Sequence, residues 1–171
     1  MNLSDTDFEL LGLEPRFSQD RAAIDRRWKE LQREVHPDKF AAQGAAAQRL
    51  AMQWSVRINE AYQRLKDPLH RAAYLCDIHG CPVNAQSNTA MPADFLIQQM
   101  QWREALEEAQ DPESLEKIRA DVMLSKQTML QKCEHFLDEL QDYPQAVAQV
   151  RGLMFLQKFL QDIDARLEVI E

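Results

Sequence analysis

From residue 20 onward, apolar side chains return at steps of three and four with charged residues between them, the period of amphipathic helices. Ile24, Trp28, Leu31 and Val35 fall within one narrow arc when the chain is wound at roughly 100° per residue, which predicts a helix over about 20–35 that buries this arc. Pro37 cannot continue that helix and disfavours helical geometry at His36 before it. A second helix is predicted over about 45–66, with Leu50, Trp54, Ile58, Ala61 and Leu65 as its seam. Two such helices form an antiparallel hairpin, and His36-Pro37-Asp38-Lys39 then lies in the loop at one tip. Phe8, Leu10 and Leu11 make a short amphipathic start before the hairpin, and Asp67-Pro68 caps a further helix that runs to about His79. Gly80 and Pro82 end it.

Beyond a polar connector at 80–91, three more helical periods fill 92–171. Asp111-Pro112 opens the second, whose seam is Leu115, Ile118, Val122, Met129, Cys133, Phe136 and Leu140. Pro144 opens the third, with Leu153, Leu156, Leu160, Ile163, Leu167 and Ile170 aligned. Seams of this kind bury one another in an antiparallel three-helix bundle. The first period differs, because Phe95, Trp102, Leu106 and Ala109 make one seam while Leu96, Ile97 and Met100 wind to another face beside Gln101 and Glu104. One seam holds a helix in a bundle. The second stripe is either the edge of a broader core or an apolar patch rimmed by polar residues, the arrangement of a protein-binding surface. Phe155 points away from its own seam, with Met154 beside it, and can extend that patch.

The fold class expected is therefore all-α, in two domains at 1–79 and 92–171. The 171 residues, 45% hydrophobic, suffice for two modest cores. Charge separates the halves: residues 1–75 hold 12 Lys and Arg against 11 Asp and Glu, net +1, and residues 76–171 hold 8 against 17, net −9. Within the near-neutral half, Arg26, Lys29 and Arg33 give the first long helix a basic exposed face, opposite its buried arc. An acidic second half would repel phosphate, which excludes nucleic acid as a partner. No apolar run approaches the roughly 20 residues that span a bilayer, and the acidic start at Asp5, Asp7 and Glu9 is unlike a signal peptide. A cytoplasmic protein without a membrane partner is expected.

Chemistry has few candidates. His36 with Asp38 suggests a base and its orienter, but no nucleophile, nucleophile-elbow or phosphate-loop pattern accompanies them, so no enzyme activity is expected. Cys76, His79 and Cys81 lie close in sequence, as do Cys133 and His135, a spacing that admits zinc. Against this, Cys133 falls on an apolar seam and Cys76 on a helix with apolar neighbours, where thiols act as small hydrophobes. No metal and no cofactor are expected, and an odd cysteine count argues against disulfides.

The tetrapeptide His36-Pro37-Asp38-Lys39, with Ile58-Asn59-Glu60-Ala61-Tyr62, Leu65, Asp67-Pro68, Arg71-Ala72 and Tyr74, resembles the J-domain family. Gly is scarce and no Cys-x-x-Cys occurs, unlike the linker and zinc ribbons of general-purpose DnaJ proteins. Phe40 after the tetrapeptide, and Tyr74-Leu75 running into Cys76-Asp77-Ile78-His79-Gly80, resemble the HscB branch, the co-chaperones of iron–sulfur cluster assembly. That resemblance implies an adaptor that stimulates the ATPase of an HscA-like, DnaK-type chaperone and brings to it the scaffold protein IscU. It assigns chaperone contact to His36, Pro37, Asp38, Lys39, Arg26, Lys29 and Arg33, with Asp38 pairing to an arginine. It assigns scaffold contact to Leu96, Ile97, Met100, Gln101, Glu104 and Phe155, where Gln101 replaces a common Glu. The chain is expected to be a monomer. A general J-protein that delivers unfolded clients is the alternative reading, and a self-associating bundle is a third.

Overall fold

The computed structural model describes residues 1–83 and 91–170. Most of the connector lies outside the described residues. Seven α-helices are described: α1 Asp7–Leu11, α2 Arg21–Val35, α3 Ala45–Lys66, α4 Pro68–Ile78, α5 Ala93–Glu108, α6 Pro112–Glu134 and α7 Tyr143–Ile170. A 3₁₀ segment, Pro37–Gln43, joins α2 to α3, and a π turn, His135–Glu139, follows α6. No strand occurs among the described residues. Two compact units divide the chain, residues 1–75 and 76–171, so the last turn of α4 counts with the second unit, whereas the sequence reading closes the first domain at residue 79.

Caps mark the helix starts that the sequence signals. Thr6 and Glu9 form a reciprocal capping box on α1, and Gly12, with φ of 65°, closes that helix in the left-handed conformation glycine adopts freely. Asp20 caps α2 through the Ala22 amide at 3.0 Å. Asp111 caps α6 through the Ser114 amide at 2.7 Å, with Pro112 in the first turn, and this bond holds the Asp111 carboxyl below the usual range.

In the first unit, α2 and α3 pair and α1 lies against them. Phe8, Leu10, Leu11, Ile24, Leu31, Ile58, Ala61 and Leu65 are buried as their periods predict. Leu50 is not, being 51% exposed while Ala51 is buried. Ala51, seven residues before Ile58, continues the inward face; Leu50 lies one position off it.

One polar cluster escapes the hydrophobic pattern. Asp7 is fully buried and paired with Arg57 at 2.8 Å and Arg64 at 2.6 Å, while its amide donates to the Tyr74 hydroxyl at 2.9 Å. Arg71 is also buried and donates to the Phe17 and Leu65 carbonyls.

In the second unit, Trp102 from α5, Leu115, Ile118 and Val122 from α6, and Leu156, Phe159 and Ile163 from α7 form one core. Three polar contacts lock its rim: the Trp102 indole donates to Asp121 at 2.8 Å, Arg119 pairs with Asp164 at 3.0 Å, and Arg166 donates to the Ala109 carbonyl just past the end of α5. The π turn changes one expectation. Its extra residue per turn shifts the inward register, so Leu137 is buried while Phe136 is half-buried and Leu140 is exposed.

Candidate functional site

The tip of the helical hairpin is built by the end of α2. His36 leaves the helix with ψ of 129°, and its Nδ1 accepts the Asp38 amide at 3.2 Å while its carbonyl accepts the Lys39 amide at 3.0 Å. A ring nitrogen that accepts carries no proton, so in this turn Nδ1 serves as the acceptor and Nε2 is the ring's donor position. In a base–orienter pair Nδ1 would instead donate to the carboxylate. Here the Asp38 carboxylate stands 3.6 Å from Nδ1, and its side chain is 91% exposed. The arrangement braces a turn and holds out a charge.

Along α2, Arg21 pairs with Asp25 at 2.9 Å and Arg27 with Glu30 at 3.4 Å. Arg26 and Arg33 form no ion pair among the described residues, and Lys29 acts on Asp25 only through space. These three cations, at helical steps of three and four, line a shallow groove with Ala22, Asp25 and Glu30. They make a positive stripe that leads toward the tip.

That stripe is held in place by contacts to α3. The Trp28 indole and the Gln32 amide both donate to Asn59 at 2.8 Å, Ser55 donates to Gln32 at 2.8 Å, and Trp28 stacks on Tyr62 with centroids 4.4 Å apart. The Tyr62 hydroxyl donates to Asp25 at 2.7 Å and, with the Arg21 guanidinium, holds its carboxyl below the usual range. Asn59 and Tyr62 thus fix the azimuth of α2, a role the sequence did not reveal, since neither is apolar enough to enter a seam.

A second face lies on α5. Leu96, Ile97 and Met100 are exposed, Met100 at 71%, beside exposed Gln101 and Glu104, while Phe95 and Trp102 turn to the core as predicted. Phe155 differs from expectation. It is half-buried, edge-on to Phe95 at 5.9 Å and stacked on Phe159 at 5.7 Å, because α5 covers that side of α7. A helix between two neighbours buries an arc wider than one seam. For the same reason Phe159, stacked on Trp102 of α5, is buried, although the seam drawn from sequence omits it. Arg103 lies over the Phe155 ring at 5.3 Å. At 100° per residue Arg103 is next to Leu96 on α5, so Phe155 lies at the Leu96–Met100 flank, and Ile97 and Gln101 face further away.

The thiols form a third grouping. Cys76 and Cys133 are buried, and burial pushes both up to about 12. Among the described residues no three His, Cys, Asp or Glu side chains are grouped as a metal ion would require.

Against known proteins, residues 6–74 match the family model of the DnaJ domain, and residues 91–164 match the model described as the HSCB C-terminal oligomerisation domain. The "Co-chaperone protein HscB homolog" of Bordetella pertussis is 42% identical over 95% of this chain and 96% of its own length. That of Burkholderia multivorans is 41% identical over 100% and 99%. The solved structure of chaperone HscB from Vibrio cholerae superposes with a TM-score of 0.84 at 30% identity, covering 98% of this chain and all of its own.

Proposed function

Since the chain belongs to the HscB family of J-domain co-chaperones, we propose that it stimulates ATP hydrolysis by an HscA-like, DnaK-type chaperone and delivers to it an IscU-like iron–sulfur scaffold. The observation that carries this reading is the surface of the hairpin: a carboxylate held out at the tip by the His36 turn, at the end of a stripe of cations without ion pairs among the described residues. Arg26, Lys29 and Arg33 would steer an acidic groove of the chaperone onto α2, an effect mainly on encounter rate. Asp38 would then take a directional, charge-assisted bond from a partner arginine. His36, Pro37 and Lys39 set the turn and its edge.

On the second unit, Leu96, Ile97 and Met100 would form the apolar centre of the scaffold contact, with Gln101 and Glu104 as its polar rim and Phe155 as its inner wall. Two weak sites in one chain raise the local concentration of scaffold at the chaperone. The protein itself would perform no bond chemistry, bind no cofactor and act in the cytoplasm. No described helix is long and apolar enough to cross a membrane.

Single-turnover ATP hydrolysis by the chaperone, with and without this protein and the scaffold, tests the reading. Stimulation should rise further with scaffold and should fall by about tenfold or more in Asp38→Asn, as the loss of a buried, charge-assisted pair implies. Stimulation indifferent to scaffold, with suppressed aggregation of unrelated unfolded proteins, would favour a general J-protein instead. The description of the matching C-terminal model favours a second reading, self-association through the α5 stripe. Sedimentation separates it from the monomer expected from the sequence: a mass that rises with concentration would support self-association, and a constant one the monomer.

A further inference from the structure

The strongest unassigned feature is the end of α4, where the chain closes in a Schellman cap. The Gly80 amide donates to the Asp77 carbonyl at 3.0 Å, the Cys81 amide donates to the Cys76 carbonyl at 2.9 Å, and Gly80 has φ of 80°. In this motif the residue past the glycine frequently packs its side chain on the residue five before it, and the two positions here are close enough to interact electrostatically. Here both are cysteines. With standard bond lengths the 2.9 Å hydrogen bond keeps their Cα atoms within about 6.8 Å, inside the range a disulfide bridges. Cys76 is fully buried and Cys81 is partly exposed. His79 stacks on Tyr143 with centroids 4.2 Å apart, which holds the turn against the start of α7.

We infer that Cys81 is a site of oxidation by peroxide and that Cys76 resolves it, closing a reversible disulfide across the cap of α4. The Cys81 thiolate attacks one peroxide oxygen, the O–O bond breaks, and the departing hydroxide is protonated to water, leaving a sulfenic acid. The Cys76 sulfur then attacks the Cys81 sulfur, and the sulfenic hydroxyl leaves as a second water with the Cys76 proton. Both sulfurs are oxidised and the peroxide is reduced to water. The order follows from access: only Cys81 meets solvent, and the buried Cys76 thiol is held protonated until an electrophilic sulfur forms beside it. Cys133 is the competing thiol, since it lies near enough to Cys76 to interact with it electrostatically, although burial holds it protonated.

The test is peroxide treatment of the full chain followed by thiol counting, intact mass and peptide mapping. The expected result is loss of two of the three free thiols, a mass lower by two hydrogens, a Cys76–Cys81 crosslink and full reversal by dithiothreitol. Cys133→Ser should behave as wild type. Cys76→Ser should accumulate a dimedone-reactive sulfenic acid at Cys81, and circular dichroism of each variant checks that the helices persist. A bond to Cys133, an intermolecular dimer, or sulfinic acid on Cys81 with Cys76 still reduced would overturn the inference. Its outcome is independent of ATPase stimulation and scaffold binding.

Discussion

The two units solve helix packing with different chemistry. In the first, α2 and α3 are registered by polar contacts, the Trp28–Asn59–Gln32–Ser55 ladder and the Tyr62–Asp25 bond, and a buried Asp7 ties α1 to two arginines of α3. In the second, a continuous apolar core carries the bundle, with the Trp102–Asp121 and Arg119–Asp164 contacts along its rim. Their outward faces differ in the same sense. The hairpin presents charge, the bundle presents exposed Leu96, Ile97 and Met100. A hydrogen-bonded interface fixes one rotation of a helix and so sets the direction of its charged stripe, whereas an apolar bundle leaves surplus nonpolar side chains at its surface.

The sharpest way to break this comparison is Asp7→Asn. It leaves Arg57 and Arg64 without their buried counterion, and should cost the first unit about 3 kcal/mol, the low end for a broken buried pair because Arg64 is half-exposed and can reach water. Urea titration of the isolated mutation against wild type reads this directly; a loss under about 1 kcal/mol would mean that the arginines rehydrate freely.

Next in size is the proposed docking face. Met100→Ala should weaken scaffold binding by about 1–2 kcal/mol with no change in melting temperature, since Met100 is exposed. Phe155→Ala should lower both affinity and stability, because that ring also packs on Phe95 and Phe159. Calorimetry with both variants separates surface from core; equal loss of stability in the two would refute the division drawn on α5.

Neutralising Arg26, Lys29 and Arg33 with Gln has a smaller effect per residue. It should slow association with the chaperone and flatten its salt dependence while leaving the dissociation rate nearly unchanged. Stopped-flow binding at low and high salt measures this, and a salt slope equal to that of wild type would exclude the stripe as a steering surface.

The smallest effect at ordinary pH comes from the thiols. Cys76 and Cys133 are raised from the free value of 9.0 to about 12 by burial, so the folded state favours their protonated forms. Their stability contribution is therefore complete below pH 9.0 and is lost as pH climbs toward about 12, because the unfolded chain releases those protons first. Denaturant melts from about pH 8 to about pH 10.5 should show a steeper decline in wild type than in Cys133→Ala.

How far this division was legible depends on range. The cap at Asp111, the α2 arc, the core side of α5 and the turn at His36-Pro37 depend on residues within one or two turns of each other, and the sequence pattern placed them. The seam through Leu50 was one position off, since periodicity shows spacing well and phase poorly once a helix runs past its partner. Asp7 gave no signal: its partners are 50 and 57 residues away, and an acidic residue near a helix start has an adequate local explanation as a dipole-compensating charge.

The sequence by itself thus determined the helices, their ends, their apolar faces and the resemblance carried by the tetrapeptide, because these follow from backbone sterics and local period. Only the tertiary structure decided that Asp7 and Arg71 lie inside, that Phe155 is a wall shared by core and surface, and that Asn59 and Tyr62 aim the basic stripe. Those outcomes depend on which helix covers which, and burial of a side chain is a property of its neighbours in space rather than of its neighbours in the chain.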